Sequence, residues 1–445
     1  MAQTRRDFVK TTGIAAAGAA VVPSLLTSEK LFAQGSNRSA QHVVLVMFAG
    51  GVRHQESIDQ RYLADAQAGQ TQEGNLMYNM LTGAAPTGSI LYGTGSGGSI
   101  EIPSILSNSI QSQGTLFSEV NALSTGHYIG LNSILQGGLP ASQGLRMRPI
   151  SPTIFEYVRK HGGYNASDVW FVGNTVQSSI PLLNYSDHPD YGIKYGANFF
   201  APTVTFHPTA QNYLAHGKTY NHETEWSPMM ELKAFLDYNF SMSGAMLDAL
   251  GNTEEEKENI KLFMNQMVVK TNSGTLDLPP VHDNADTYTM GYAVEVLKYF
   301  QPSFMCVNLN AVDVAHSNFS QSMQALHRAD HAVGHLWNVI QNTPGLAGNT
   351  TLICIPECGR NDEPNSIADA NGFLSYDHSD LNSRRIFSLI AGPNVPSNLV
   401  IGSEGNSIGQ VSDAMMTVAD ILGVKQAVLD AGMVDPNAHS FFDLI

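Results

Sequence analysis

The chain has 445 residues, of which 43% are hydrophobic, and its formal net charge is −16. This length fits two or three average domains, although large α/β folds often run as long as one unit. The excess negative charge argues against nucleic acid as the main partner. It is compatible with a small anionic substrate, because a bound metal ion can invert the local field.

Residues 1–34 read as a targeting segment that precedes the fold. Arg5 and Arg6 come before a weakly apolar run at 13–26, which is too short to span a bilayer. The pattern resembles a twin-arginine signal with cleavage after Ala33; an ordinary amphipathic helix is the alternative. We therefore expect export to the periplasm or the cell exterior, with no integral membrane segment in the mature chain.

The next elements predict a buried strand followed by a functional loop, and then a strand and a helix. The run HVVLVMF at 42–48 is typical of a buried parallel strand. It leads into 49–57, which places Arg53 and Glu56 at the carboxyl edge of the sheet. Residues 115–139 predict a strand, a turn and a helix that ends at a glycine pair.

Regular alternation of strands and helices is lost in the middle of the chain. A helix at 151–163 and a strand at 169–174 come first. Residues 175–285 then contain aromatic-rich loops and amphipathic helices at roughly 226–250 and 253–270. We interpret this segment as a cap or insertion over the sheet edge of a single domain spanning 35–445.

Chemically active side chains follow two strands that a long helix connects. The first strand leads to Asp313 and His316, the second ends at Glu357 and Cys358, and His378 follows in YDHSD. Parallel strands joined by a crossover helix end at the same sheet edge. Carboxylate, imidazole and thiolate ligands suit zinc or a similar divalent ion, so the sequence predicts a metal site here.

The remaining elements are a strand at 384–395 and a helix at 410–424. Strands alternating with helices over most of the chain predict a three-layer α/β/α sandwich with a mostly parallel central sheet.

Taken together, these features resemble the alkaline phosphatase and sulfatase superfamily, and most of all its exported sulfatase-like branch and the neighbouring DUF1501 group. The matching stretches are GGVR, ILQGG, D-x-x-H followed by LHRADHAVGHLW, TTLICIPECGRN, YDHSD and QVSDAMMTVADILGV. They span roughly 42–440 and leave 175–285 unmatched. The resemblance implies a metal-dependent hydrolase of a phosphate or sulfate ester.

The resemblance also implies two metal positions, which this chain matches unequally. The first is largely present as Asp313, His316 and His378, although the Asp-x-x-His spacing is one residue shorter than the commoner form. The expected cofactor is a divalent metal, with zinc favoured, as one or two ions.

At the second position the chain departs from the family pattern. The family's Asp after the first strand falls at Gly50, with Glu56 as the nearest substitute. Glu357 and Cys358 stand where the family has Asp-His. Because glutamate and cysteine both bind zinc, we expect an altered second site.

The nucleophile of the family is a Ser, Thr or Cys, and the corresponding position here is His127. Ser124 and Thr125 lie close enough to serve if the loop is longer. His127 itself could act as nucleophile, general acid or metal ligand. Arg53 at the sheet edge is the third catalytic candidate, beside His127 and Thr125.

Other polar residues have competing interpretations. His327, His331 and His335 recur every four residues beside an apolar helix face, which favours a solvated or flanking stripe over a metal ladder. Asp330 falls on the apolar face and predicts a paired structural carboxylate. Arg360 could bind a substrate anion or pair with a neighbouring carboxylate at 362 or 363.

Two alternatives to a phosphate or sulfate ester hydrolase stay open. Because Gly50 offers no ligand and position 127 no hydroxyl, the chain could be an exported binding or structural protein that keeps the fold without the chemistry. A metal-dependent lyase or isomerase on the same scaffold is the third option.

Overall fold

An eight-stranded sheet forms the centre of the computed structural model. The structure describes residues 39–65, 70–84, 102–140, 148–173, 177–206 and 244–445. The predicted signal at 1–34 lies outside these ranges and stays a prediction. Residues 38–445 form one compact unit.

The strands of the described residues are, in chain order, β1 (His42–Phe48), β2 (Arg61–Asp65), β3 (Gln70–Glu73), β4 (Gly114–Asn121), β5 (Val169–Gly173), β6 (Asn198–Phe200), β7 (Phe304–Leu309), β8 (Thr350–Pro356), β9 (Arg385–Ala391) and β10 (Leu399–Ile401). The α-helices are α1 (His54–Ser57), α2 (Ile110–Gln113), α3 (His127–Gln136), α4 (Ile154–Gly162), α5 (Pro202–Thr205), α6 (Gly244–Ala249), α7 (Glu254–Ser273), α8 (Ala285–Phe300), α9 (Phe319–Asn342), α10 (Asp413–Ile421) and α11 (Lys425–Ala431).

The strand order across the sheet is β10-β4-β9-β8-β1-β7-β5-β6, and β2 pairs with β3 in a separate hairpin. Strand β9 runs antiparallel to both of its neighbours, β4 and β8. All other pairs in the large sheet are parallel. The predicted mostly parallel sheet is therefore confirmed.

Helices cover both faces of this sheet. Val43, Leu45 and Met47 of β1 pack into one apolar cluster with side chains from α3, α4 and α10. The alternate residues Val44 and Val46 pack into a second cluster with side chains from α7, α8 and α9. Successive side chains of a strand point to opposite faces, so β1 is buried on both sides. The predicted three-layer α/β/α architecture is confirmed.

The segment predicted as an insertion contributes to the main sheet. Strand β6, at Asn198–Phe200, pairs in parallel with β5 and forms the sheet's edge. Helix α7 matches the predicted helix at 253–270, whereas the other predicted helix is described only at Gly244–Ala249. No helix among the described residues is long and apolar enough to cross a membrane.

Candidate metal centre at the carboxyl edge of the sheet

Strands β1, β4, β7 and β8 run in the same direction, so their carboxyl ends meet at one edge of the sheet. Helix α3 begins at His127 after β4, and a 3₁₀ turn at Ala311–His316 follows β7. Glu357 and Cys358 follow β8 directly. The fold thus brings together side chains that are far apart in sequence, as predicted.

His127 lies at the centre of these side chains. Its Nδ1 is 2.6 Å from Oε1 of Glu357 and 3.7 Å from Sγ of Cys358. Its Nε2 is 3.0 Å from Oδ1 of Asp313. The His378 ring stands beside it, with the two ring centroids 4.1 Å apart. Both ring nitrogens of His127 therefore face groups that bind metals.

Two sets of side chains in the described residues have the spacing of metal ligands. One contains His127, His316 and His378; the other contains His127, Glu357 and Cys358. Within each set, one ligand atom per residue lies within 4.8 Å of the others. Because His127 belongs to both sets, the two groups form one continuous site.

Three buried atoms of this site lack a hydrogen-bond partner within the described structure: Nε2 of His127, Nδ1 of His378 and Oε2 of Glu357. The Nε2 atom lies close to Asp313 but outside hydrogen-bond geometry. A buried polar atom without a partner typically costs about 1–3 kcal/mol, so three such atoms in one cluster are suited to bind a ligand. All three belong to the atom types that coordinate divalent metals.

The electrostatics of the cluster favour a cation at its centre. Burial lowers the pKa of His127, but the nearby Asp313, Cys358 and Glu357 groups outweigh it and raise this pKa to about 12. Burial and the charge on His127 lower the pKa of His378 to about 4, so its ring is neutral. Burial and the charge of Glu357 raise the pKa of the Cys358 thiol to about 11. The groups that stabilise a proton on His127 are also suited to hold a metal ion in its place.

His316 is held on both sides by protein groups. Its Nδ1 is 2.8 Å from Oδ1 of Asp377, and its Nε2 is 2.9 Å from Nη1 of Arg360. The carboxylate of Asp377 orients the ring in the way that outer carboxylates orient metal-binding histidines. The sequence analysis missed Asp377, although it lies next to His378 in YDHSD. Arg360, however, faces the ring nitrogen that a metal would need.

The carboxylate partner of Arg360 is not one of the two predicted from the sequence. Its side chain is buried and donates to the carbonyl of Gly50 and to Oδ1 of Asp313, the latter at 3.0 Å. Neither Asp362 nor Glu363 forms an ion pair with it among the described contacts.

Arg53 and Glu56, predicted as a catalytic residue and a substitute ligand, form an ion pair with each other. Nε of Arg53 donates to Oε2 of Glu56 at 2.8 Å, and a second contact joins Nη2 to Oε1. The guanidinium of Arg53 also stacks on the Tyr376 ring, 3.6 Å from its centroid. Glu56 lies outside both sets of metal-ligand spacing, and we do not assign it to the site.

The loop before His127 supplies backbone contacts. The backbone of Thr125, a predicted nucleophile, interacts with His378. The hydroxyl of Ser124 accepts from the N–H of Gly126 at 3.0 Å, which fixes the turn into α3.

The histidines of α9 are structural, and they are buried where the sequence predicted a solvated or flanking stripe. Nδ1 of His327 binds the Leu76 carbonyl at 2.7 Å, and Nε2 of His331 accepts from the N–H of Val281 at 3.1 Å. Asp330 accepts from two backbone N–H groups and the Asn79 side chain, which confirms a paired structural carboxylate.

Comparison with solved structures finds members of the alkaline phosphatase superfamily. One is a protein in this superfamily from Vibrio parahaemolyticus, with 10% identity, 99% of this chain and 79% of that chain covered, and a TM-score of 0.42. Another is a mutant of the alkaline phosphatase PafA, with 11% identity, 86% and 96% covered, and a TM-score of 0.43. A third is the lipoteichoic acid synthase LtaP from Listeria monocytogenes, with 10% identity, 97% and 80% covered, and a TM-score of 0.41.

No protein-family model and no curated protein matches the chain. At the identities and TM-scores of the solved structures, the likeness carries no functional argument. The function proposed next therefore rests on the residues of this chain.

Proposed function

We propose that the protein is a metal-dependent hydrolase of a small phosphate or sulfate ester. The observation that carries the proposal is the set of three buried ligand atoms without hydrogen-bond partners in one cluster, on His127, His378 and Glu357. The motifs shared with the alkaline phosphatase and sulfatase superfamily supply the reaction class. The twin-arginine pattern at 1–34 supports export to the periplasm or cell exterior as part of the same proposal.

The two sets of donors that meet at His127 suit a divalent ion. Imidazole nitrogens of His127 and His378, a carboxylate oxygen of Glu357 and the thiol of Cys358 are the ligand types of zinc sites. When bound, such an ion supplies Lewis-acid polarisation of an ester oxygen or a water with a lowered pKa. Zinc is the favoured ion because the set combines nitrogen, oxygen and sulfur donors.

The protein's own groups position this centre. Oε1 of Glu357 accepts from the Gly50 N–H at 2.7 Å and contacts Nδ1 of His127, so the carboxylate is fixed while Oε2 stays free. Asp313 has a lowered pKa because the neighbouring His127, His316 and Arg360 outweigh its burial, so it is ionised and faces His127 from the other side. Glu357 and Asp313 thereby fix the orientation of the His127 ring before any substrate arrives.

A small surface cleft opens beside this centre. Its lining residues are Ala49, Gly50, His127, Ile180, Asn310 and Asp313. An ester group in this cleft would lie next to His127, where the helix dipole of α3 favours negative charge.

Metal analysis and turnover test the proposal together. Full-length protein purified without chelator should contain bound divalent metal and cleave an aryl phosphate or an aryl sulfate. Replacing His378 by Ala should abolish turnover and lower the metal content. The matched control His161→Ala changes a histidine of α4 that contacts the Tyr191 hydroxyl at 3.0 Å, and it should leave both unchanged. Metal-free protein that stays inactive after reloading with zinc, manganese or magnesium contradicts the proposal.

A non-catalytic binding or structural protein is the second candidate. The observation that favours it is at the strand end, where Gly50 provides no ligand and His127 stands at the position of the family's nucleophile. Protein that contains metal but turns over none of these esters would support this candidate. His378→Ala should then leave the protein's biological role intact.

A further inference from the structure

Arg360 forms a closed set of contacts between Asp313 and His316, at the first of the two metal positions that the resemblance implies. Nε donates to the Gly50 carbonyl at 2.8 Å, and Nη2 donates to the same carbonyl and to Oδ1 of Asp313 at 3.0 Å. Nη1 donates to Nε2 of His316 at 2.9 Å and to the Tyr376 carbonyl at 3.2 Å. A guanidinium has five N–H donors, and these contacts account for all of them. Arg360 therefore has no donor left for a substrate anion.

The contact between Arg360 and His316 shows which ring nitrogen of His316 accepts a hydrogen bond from the guanidinium. A guanidinium can only donate, so Nε2 of His316 must accept and the ring proton must lie on Nδ1, where it is donated to Asp377. The lone pair on Nε2 is the one that a metal ion would take. Asp313, the second protein ligand expected there, also gives its oxygen to Arg360.

The backbone at the end of β1 is shaped around this guanidinium. A Cβ on Gly51 would lie 2.6 Å from the Gly359 carbonyl and 2.9 Å from Nε of Arg360. A Cβ on Gly50 would lie 2.5 Å from the backbone nitrogen of Asp313. Positions 50 and 51 therefore have no space for a side chain beside Asp313 and Arg360.

We propose that the guanidinium of Arg360 takes the place of a metal ion at the first position, between Asp313 and His316, so that the site binds a single ion with ligands from among His127, His378, Glu357 and Cys358. The fixed positive charge neutralises Asp313 and holds His316 without a metal. Arg360 is in this view a positioning residue. The single-ion count rests on the proposed function, whereas the exclusion of an ion by Arg360 can be tested separately.

The experiment compares metal stoichiometry in wild-type protein and in Arg360→Ala. Chelator-treated full-length protein is titrated with zinc alone by isothermal calorimetry, and the bound metal is counted by mass spectrometry after desalting. Arg385→Ala is the matched control, because Arg385 pairs with Glu119 outside the proposed metal ligands. We expect one zinc per chain in wild type and in the control, and one additional zinc in Arg360→Ala.

The outcomes separate the two proposals. If wild-type protein binds no zinc, the proposed function is overturned. Even then, one more zinc per chain in Arg360→Ala than in wild type supports the role of Arg360. Two ions in wild type, or no gain in the folded variant, overturns that role. If Arg360→Ala does not fold, zinc anomalous scattering from wild-type crystals decides. One ion beside His127 with Arg360 on His316 supports the proposal, and an ion between Asp313 and His316 overturns it.

Discussion

Replacing Gly50 by Ala tests whether the end of β1 has room for any side chain. Gly50 has φ +115°, and an added Cβ would lie 2.5 Å from the backbone nitrogen of Asp313 and 2.7 Å from its Cα. Holding a non-glycine residue in such a conformation costs about 1–3 kcal/mol, and displacing packed atoms costs about 1–3 kcal/mol more. We therefore expect the free energy of unfolding to fall by about 2–6 kcal/mol.

Gly405→Ala provides the matched control for backbone strain without crowding. Gly405 has φ +74°, and nothing lies within 4 Å of an added Cβ. A left-handed conformation alone costs an alanine about 1–2 kcal/mol. Urea unfolding followed by circular dichroism should give a larger loss for Gly50→Ala than for Gly405→Ala. Losses that agree to within about 1 kcal/mol would refute the crowding argument.

Gly50→Asp extends the same reasoning to function. It introduces the residue type that the superfamily resembled by the sequence carries after its first strand, but it meets the same atoms of Asp313. We expect it to destabilise the protein at least as much as Gly50→Ala and to bind no additional zinc. A stable variant with an extra ion would show that the strand end can open.

Three further results are expected. Glu357→Gln should weaken zinc binding at least about tenfold in calorimetric titration, because an amide replaces a charged oxygen; unchanged affinity would remove Glu357 from the ligands. Asp330→Ala should lower the free energy of unfolding by about 2–5 kcal/mol, because its buried N–H partners lose their acceptor; a loss below about 1 kcal/mol argues against this role. Burial lowers the pKa of His327 and of His331 from 6.5 to about 4. The unfolded state therefore takes up protons at a higher pH than the folded state does. The free energy of unfolding should fall as pH drops from 6.5 towards 4, by up to about 3 kcal/mol per histidine. Urea melts between pH 8 and pH 5 measure this loss, and a double glutamine variant with an unchanged pH slope would contradict it.

The main sheet could be predicted because its central strands carry clear signals. Strands β1 and β8 are continuous apolar runs, and both are buried on two faces. The direction of β9 could not be predicted in the same way, since an apolar run has the same pattern in a parallel and an antiparallel strand. Strand β6 has only three residues, Asn198–Phe200, too few for a periodic pattern.

The partners of individual polar residues were harder to predict than the strands. Arg360 has acidic neighbours in the sequence, yet its main partners are Gly50 and Asp313, which lie 310 and 47 residues away. The α9 histidines have the spacing of an exposed flank. Residues near Val281 cover His331, and a helical pattern by itself does not show what packs against the helix.

The contacts in the structure favour the second metal position over the first, the opposite of what the residue types indicate. Motif matching favoured Asp313 and His316, because their residue types agree with the family, and it marked Glu357 and Cys358 as a departure. A ligand must have a free lone pair as well as the right residue type. The lone pair of His316 is used by Arg360, whereas Oε2 of Glu357 is buried without a partner. The departure from the family pattern is therefore where metal binding should be sought first.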